Sequence, residues 1–263
     1  MLTLYTVTKG EKTMKEIIKS NLNYLIFLAI FGLIGGYFTI IYSLQTLSQD
    51  IIDEALAQAG NINIIIAVGT IQNFLYAMVF GIIGKILANK IGLWRKVSFE
   101  KKGTVELVLV AIIGGIALIL PDAYIFANFS EAIKISYEAK PTVEYFIASI
   151  TYGAVVEEIM LRLFTMSLIA ILIQKLTKKA IVTPQILIIA NVISAILFAI
   201  GHLPGTYLML SPVTPIIIFR CFLYNGVLGL FFGRVYRKYG IHYAMLAHGG
   251  VHIVSKLIWL LFI

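Results

Sequence analysis

The feature that most limits what this chain can fold into is a series of apolar runs, each close to the length of a membrane-crossing helix. A helix rises about 1.5 Å per residue, so roughly 20 apolar residues cross the hydrocarbon core. Seven runs approach or exceed that length: 22–43, 62–88, 104–120, 142–174, 184–203, 213–236 and 241–262. The fourth is longer than one crossing requires, which implies tilt or projection beyond the bilayer. The third is short and closes at Pro121. Of the 263 residues, 60% are hydrophobic and 13% charged, against about 25% charged in a soluble domain. A water-soluble fold would have too few polar side chains to cover itself. The expected fold is all-α: a polytopic membrane helix bundle of about seven transmembrane helices around an intramembrane polar cavity.

The basic residues orient this bundle. Lys9, Lys12, Lys15 and Lys19 precede the first run. Lys85, Lys90, Arg95, Lys96, Lys101 and Lys102 surround the second loop of the same side, and Lys175, Lys178, Lys179, Arg234, Arg237 and Lys238 follow the fourth and sixth runs. The opposite loops hold only Lys134 and Lys140. The positive-inside rule then puts the N-terminus in the cytoplasm and the C-terminus outside. It also accounts for the net charge of +8, so nucleic acid is excluded as a partner and the lipid bilayer is the expected surroundings. The first run begins near Asn21, is too long for a signal-peptide core and lacks a small-residue cleavage site, so it reads as a retained span. Residues 1–20 form a polar, basic cytoplasmic segment, and 21–263 a single transmembrane domain. The Ile- and Lys-rich usage points to a prokaryotic plasma membrane. Cys221 is the one cysteine; it leaves no disulfide framework and no thiolate cluster.

Ionisable residues inside spans are costly and are functional candidates by default. Glu157 and Glu158 lie mid-way along the fourth run, with Arg162 four residues after the second. Adjacent helical residues point about 100° apart. Glu158 and Arg162 can pair on one face, which leaves Glu157 aimed elsewhere without a local cation, as suits a general base. His202 closes the fifth run, and Pro204 and Gly205 follow, so the helix is expected to stop there. His248 and His252 share a face of the seventh run, separated in part by Gly249 and Gly250. On these boundaries His202 would lie near the outer face, Glu157 mid-way and His248 a third of the way along its helix. Their meeting requires tilt, offset, or a later end to the fifth helix. Taken singly, each His also fits a packing role. Arg220 and Lys256, near outer ends, read as snorkelling residues. Gly32 with Gly36, and Gly229 with Gly233, read as close helix contacts of the GxxxG kind. The 122–140 stretch reads as a short interfacial helix or an ordered loop.

In order along the chain these residues spell EExxxR (Glu157, Glu158, Arg162), FxxxH (Phe198, His202) and a helix bearing His248. That order resembles the CPBP family, the CAAX prenyl endopeptidases and bacteriocin-processing enzymes, also called the Abi family. The likeness runs from about Tyr145 to Val254 and makes 142–256 a protease-like core. The resemblance implies an intramembrane endopeptidase acting on a membrane-bound peptide or protein. Glu157 would activate a water with help from His202, His248 and His252 would stabilise the oxyanion or the water, and Arg162 would hold Glu158 and the helix in register. If a divalent metal such as zinc takes part, Glu157, His202 and His248 would be its ligands. This chain departs from the family at one place: the family usually has Asn or Asp four residues after the last His, and here that residue is His252. Two other readings remain open at this level. One is a non-catalytic immunity or scaffold protein of the same fold. The other is a transporter using Glu157 and the His residues as a relay, which ranks last because no paired half-spans of inverted symmetry appear.

Overall fold

The computed structural model describes residues 14–263, with side chains from residue 21 onward. The cytoplasmic assignment of residues 1–20, with Lys9, Lys12, Lys15 and Lys19, lies outside the residues so described. The chain is a helix bundle, and no strand occurs among the described residues. The helices are α1 (Met14–Thr46), α2 (Gln49–Ala59), α3 (Ile62–Lys90), α4 (Lys101–Tyr124), α5 (Glu131–Ser136), α6 (143–176), α7 (Pro184–Leu210), α8 (Pro215–Tyr239) and α9 (Ile241–Phe262). A short 3₁₀ turn, Phe126–Phe129, leads into α5. Helix starts follow local chemistry. Thr142 and Thr183 accept from the backbone N–H of Tyr145 and Ile186, and Pro184 and Pro215 occupy first-turn positions where no N–H is needed. Gly240, at φ +105, reverses the chain between α8 and α9 in one residue, a backbone region open mainly to glycine.

Six of these helices are long and apolar enough to span a membrane: α1, α3, α4, α7, α8 and α9. The protein is an integral membrane protein. The expected count of about seven is therefore six on that measure. The fourth run, now α6, is not among the six; it is the interior helix of the bundle. It packs against α1 and α3 on one side and α7 and α9 on the other. Val156, Ile159, Leu163 and Met166 are fully covered by protein. A helix solvated by other helices need not be apolar all round, so Glu157, Glu158 and Arg162 can sit at its middle. Glycines set the close approaches on its flank. A Cβ at Gly35 would lie 2.9 Å from the Tyr152 backbone, and one at Gly84 3.0 Å from the backbone of Leu163. The Gly32–Gly36 pair works as read from sequence, bringing α1 onto the α3 backbone at Phe74 and Thr70.

The two ends of the bundle differ in kind. At one end Ala88, Leu93, Ala170, Ile186, Tyr236 and Ile241 form a common core. Beside it Glu106 of α4 accepts from Arg234, Lys238 and Tyr239. The elements that meet here carry the Lys and Arg cluster from Lys85 to Lys102, Lys175 to Lys179 and Arg234 to Lys238. At the other end Tyr42 stacks on Tyr145, and Tyr137 packs on Trp259. Arg220 belongs to this end, and here the sequence reading needs correction. Arg220 does not reach out to the interface. Its Nη2 donates to Asp122 Oδ2 at 2.7 Å, and the Tyr137 hydroxyl donates to the same oxygen at 2.8 Å. The third run also does not close at Pro121: α4 continues through it to Tyr124, which brings Asp122 inward. A fork-shaped guanidinium pair of this kind fixes α8 against the end of α4. Asp122→Asn is expected to cost about 1.5–3 kcal/mol, the value of a hydrogen bond to a charged group. A lowered Tm in detergent, matched by Arg220→Gln, checks it.

Candidate active site

The polar residues singled out from sequence converge from three helices. Glu158 and Arg162 on α6 pair at 3.0 Å and are sealed, with side-chain exposures of 0% and 1%. Arg162 also donates to the carbonyl of Gly229 on α8 at 3.1 Å and lies over the Phe198 ring of α7. One guanidinium thus joins α6, α7 and α8. The second GxxxG pair exists for this purpose rather than for backbone contact. A Cβ at Gly229 would fall 2.8 Å from Arg162 Nη2, and one at Gly233 would collide with Asn191 Oδ1, whose amide donates to the Leu230 carbonyl. We expect Gly229→Ala to lower stability by about 1–3 kcal/mol, the usual cost of overpacking. Gly201→Ala on α7, where nothing lies within 4 Å of the added methyl, should be neutral or slightly stabilising. Thermal unfolding of both variants side by side tests the distinction.

Glu157 points away from this pair. Its nearest charged or titratable neighbour is His202, with Oε1 and Nε2 3.7 Å apart and side-chain exposures of 17% and 36%. The two meet because α7 runs on through Pro204 to Leu210. The expected stop at Pro204 was too early, and His202 lies two turns inside its helix. Proline is tolerated within membrane helices where neighbours and side chains re-satisfy the backbone. His202 Nδ1 lies 2.9 Å from the Phe198 carbonyl. A carbonyl only accepts, so Nδ1 carries the proton and Nε2 turns its lone pair toward Glu157.

On α9, His248 Nδ1 lies 2.9 Å from Glu158 Oε1, and its Nε2 lies 3.1 Å from His252 Nε2. Phe232 stacks on the His248 ring, with centroids 4.4 Å apart. Gly153 of α6 borders the cluster: an added Cβ would sit 3.3 Å from His252 Nε2 and 4.0 Å from Glu157 Oε2. That point is where the two halves of the site approach each other. Gly249 and Gly250 serve packing against Ala154 and Ala111. The ligand set Glu157, His202 and His248 does not fit a metal ion. His248 has both ring nitrogens engaged, by Glu158 and His252, and among the described residues no three His, Cys, Asp or Glu side chains converge as ligands.

Residues 139–254 match the family model described as type II CAAX prenyl endopeptidase Rce1-like. Over this segment the chain is similar to that family. No curated protein and no solved structure matches the chain. The matched segment contains Glu157, Glu158, Arg162, His202, His248 and His252, so the residues that converge in space fall within it. The family implies a CAAX-type intramembrane peptidase in contact with lipid and with membrane-associated substrates. The matched segment begins just before α6 and ends within α9. α1 and α3 lie outside it and supply the wall against which its central helix packs.

One residue at the site escaped the sequence reading. Lys256 does not snorkel. It is 4% exposed, its Nζ lies 3.9 Å from the centre of the Tyr145 ring, and it is 3.5 Å from His252 Nδ1. The signal was present in the spacing, since His248, His252 and Lys256 follow at successive intervals of four and share one face of α9.

Proposed function

We propose that this chain hydrolyses a peptide bond of a membrane-associated peptide or protein, with Glu157 as general base. The observation that carries this reading is the contrast between adjacent carboxylates: Glu158 is sealed in an ion pair, while Glu157 is partly exposed, at 17%, and faces an imidazole nitrogen across 3.7 Å. That gap is too long for a direct hydrogen bond and suits a water that reaches both groups. Such a water donates one hydrogen to Glu157 and the other to His202 Nε2, which leaves its lone pairs free for a carbonyl carbon. As the C–O bond forms, Glu157 takes the water's proton. The carbonyl oxygen becomes an oxyanion, and the His252 Nε2–H beside Gly153, which at rest bonds the His248 lone pair, turns to it from the α9 side. When the C–N bond breaks, Glu157 returns its proton to the leaving amine, and a carboxylic acid and an amine result.

Glu158, Arg162 and His248 act in this scheme by holding the α9 imidazoles in place. Each step uses this chain's own side chains, with His248 engaged by Glu158 and His252. The basic end of the bundle is the cytoplasmic end on this reading, with the C-terminus of α9 outside, in a prokaryotic plasma membrane.

Mass spectrometry of membrane-derived peptides tests the proposal in cells carrying either the natural chain or Glu157→Gln. A set of peptide termini present only with the natural chain is the expected result. An unchanged set would remove Glu157 from the chemistry.

A further inference from the structure

We propose that Lys256 is a positioning residue for this hydrolysis: its Nζ, set 3.5 Å from His252 Nδ1, holds His252 in the tautomer whose proton is on Nε2, facing the site. The inference rests on the function proposed above and concerns a residue beyond the matched segment, which ends at residue 254.

The argument is one of donors and acceptors. A neutral imidazole has one N–H and one lone pair, and its neighbours decide which nitrogen has which. The Glu158 carboxylate accepts only, so His248 carries its proton on Nδ1 and presents a lone pair at Nε2. His252 Nε2, 3.1 Å away, must therefore be the donor, and His252 Nδ1 must be the acceptor. An ammonium at Lys256 supplies what that acceptor needs. The chain of donors thus runs from Lys256 to His252 to His248 to Glu158, with Arg162 closing its far end at 3.0 Å. The alternative, a doubly protonated His248, would add a second cation beside a Glu158–Arg162 pair that is already neutral, inside a buried site.

The surroundings of Lys256 fit this task. No carboxylate pairs with it among the described residues, and His252 Nδ1 is its one polar side-chain contact there. The face of Tyr145, itself backed by Tyr42 at a ring separation of 4.4 Å, receives the ammonium. A lysine held only for packing would not need its nitrogen brought to the one ring atom that sets the proton on the opposite side of the imidazole. Without Lys256 only the His248 lone pair still favours the proton on Nε2, and each His252 ring that carries it on Nδ1 instead offers a lone pair to a developing oxyanion.

The test pairs a spectroscopic signature with kinetics on the full chain in detergent. With ¹⁵N-labelled histidine, His252 is expected to give the Nε2–H signature in the natural chain and to lose it, wholly or in part, in Lys256→Met. In the same variant kcat should fall roughly tenfold, the size of one lost hydrogen bond, with KM little changed. The loss should vanish in a His252→Asn background, because an amide presents N–H without a tautomer to fix; a purely structural lysine would cost as much in both backgrounds. An Nδ1–H signature for His252 in the natural chain overturns the proposal even if Lys256→Met fails to fold. So does a Lys256→Met signature identical to that of the natural chain. If the natural chain cleaves nothing yet His252 shows the lysine-dependent signature, the hydrolytic reading fails while the assignment of Lys256 to His252 stands.

Discussion

Glu157→Gln is expected to lower peptide cleavage by about 10²–10⁴-fold, the usual contribution of a positioned general base, while leaving Tm close to that of the natural chain. Both halves follow from the surroundings of Glu157. Its carboxylate makes no ion pair with Lys or Arg, and its side chain is only partly covered. An amide of the same shape therefore leaves no buried charge unpaired and creates no cavity. What the amide cannot do is take a proton from water. Time courses of a quenched peptide reporter, run beside thermal unfolding of the same preparation, measure the two quantities. A reporter rate within a factor of about three of the natural chain would end the assignment of Glu157 as base.

Arg162→Met should give the reverse pattern, with loss of the folded protein ahead of any kinetic effect. The change strands Glu158, fully buried, with His248 as its one remaining partner. Breaking a buried pair by removing one member costs about 3–5 kcal/mol, and the Gly229 carbonyl loses its donor as well. Arg162→Lys should recover only part of this. An ammonium can neutralise Glu158 but cannot also reach the Gly229 carbonyl and lie flat over Phe198. Urea or thermal unfolding in a fixed detergent ranks the three chains. A drop of less than about 1 kcal/mol for Arg162→Met would show that the guanidinium is not the joint between α6, α7 and α8.

Much of this arrangement was legible in the sequence where the physics is local. The i,i+4 spacing of Glu158 and Arg162 is enough to pair them, and the roughly 100° turn between neighbours is enough to send Glu157 elsewhere. The helical class followed from apolar run length, and the basic clusters of three separate loops gather at one end of the bundle. What failed depended on where helices end and what lies beside them. Pro204 reads as a stop, yet α7 carries two more turns, and that extension removes the mismatch in depth between His202 and Glu157. α4 likewise passes Pro121 and turns Asp122 toward Arg220. Lys256 and Arg220 were assigned to the interface because each stands near an outer end, and position along a helix says nothing of the aromatic ring or carboxylate that another helix brings to it. The glycines of α8 were recognised as contact points, but only the fold reveals that the contact is a guanidinium and an amide rather than another backbone.

The central helix is wound loosely through its middle: Ser149–Glu157 and Ile159–Met166 carry i→i+5 hydrogen bonds, whereas the segments of the same helix before and after them are ordinary α-helix. Each wider turn shifts angular phase relative to a 3.6-residue helix. The stretch therefore works as a rotational offset between Val143–Ala148 and Ser167–Leu176. Both ends can keep their bundle-facing sides while the charged middle is turned independently toward α7 and α9. Deleting one residue between 149 and 156 would tighten the winding and swing the carboxylates out of step with the imidazoles. The length of this segment therefore matters to the site as much as the identity of the charges it carries.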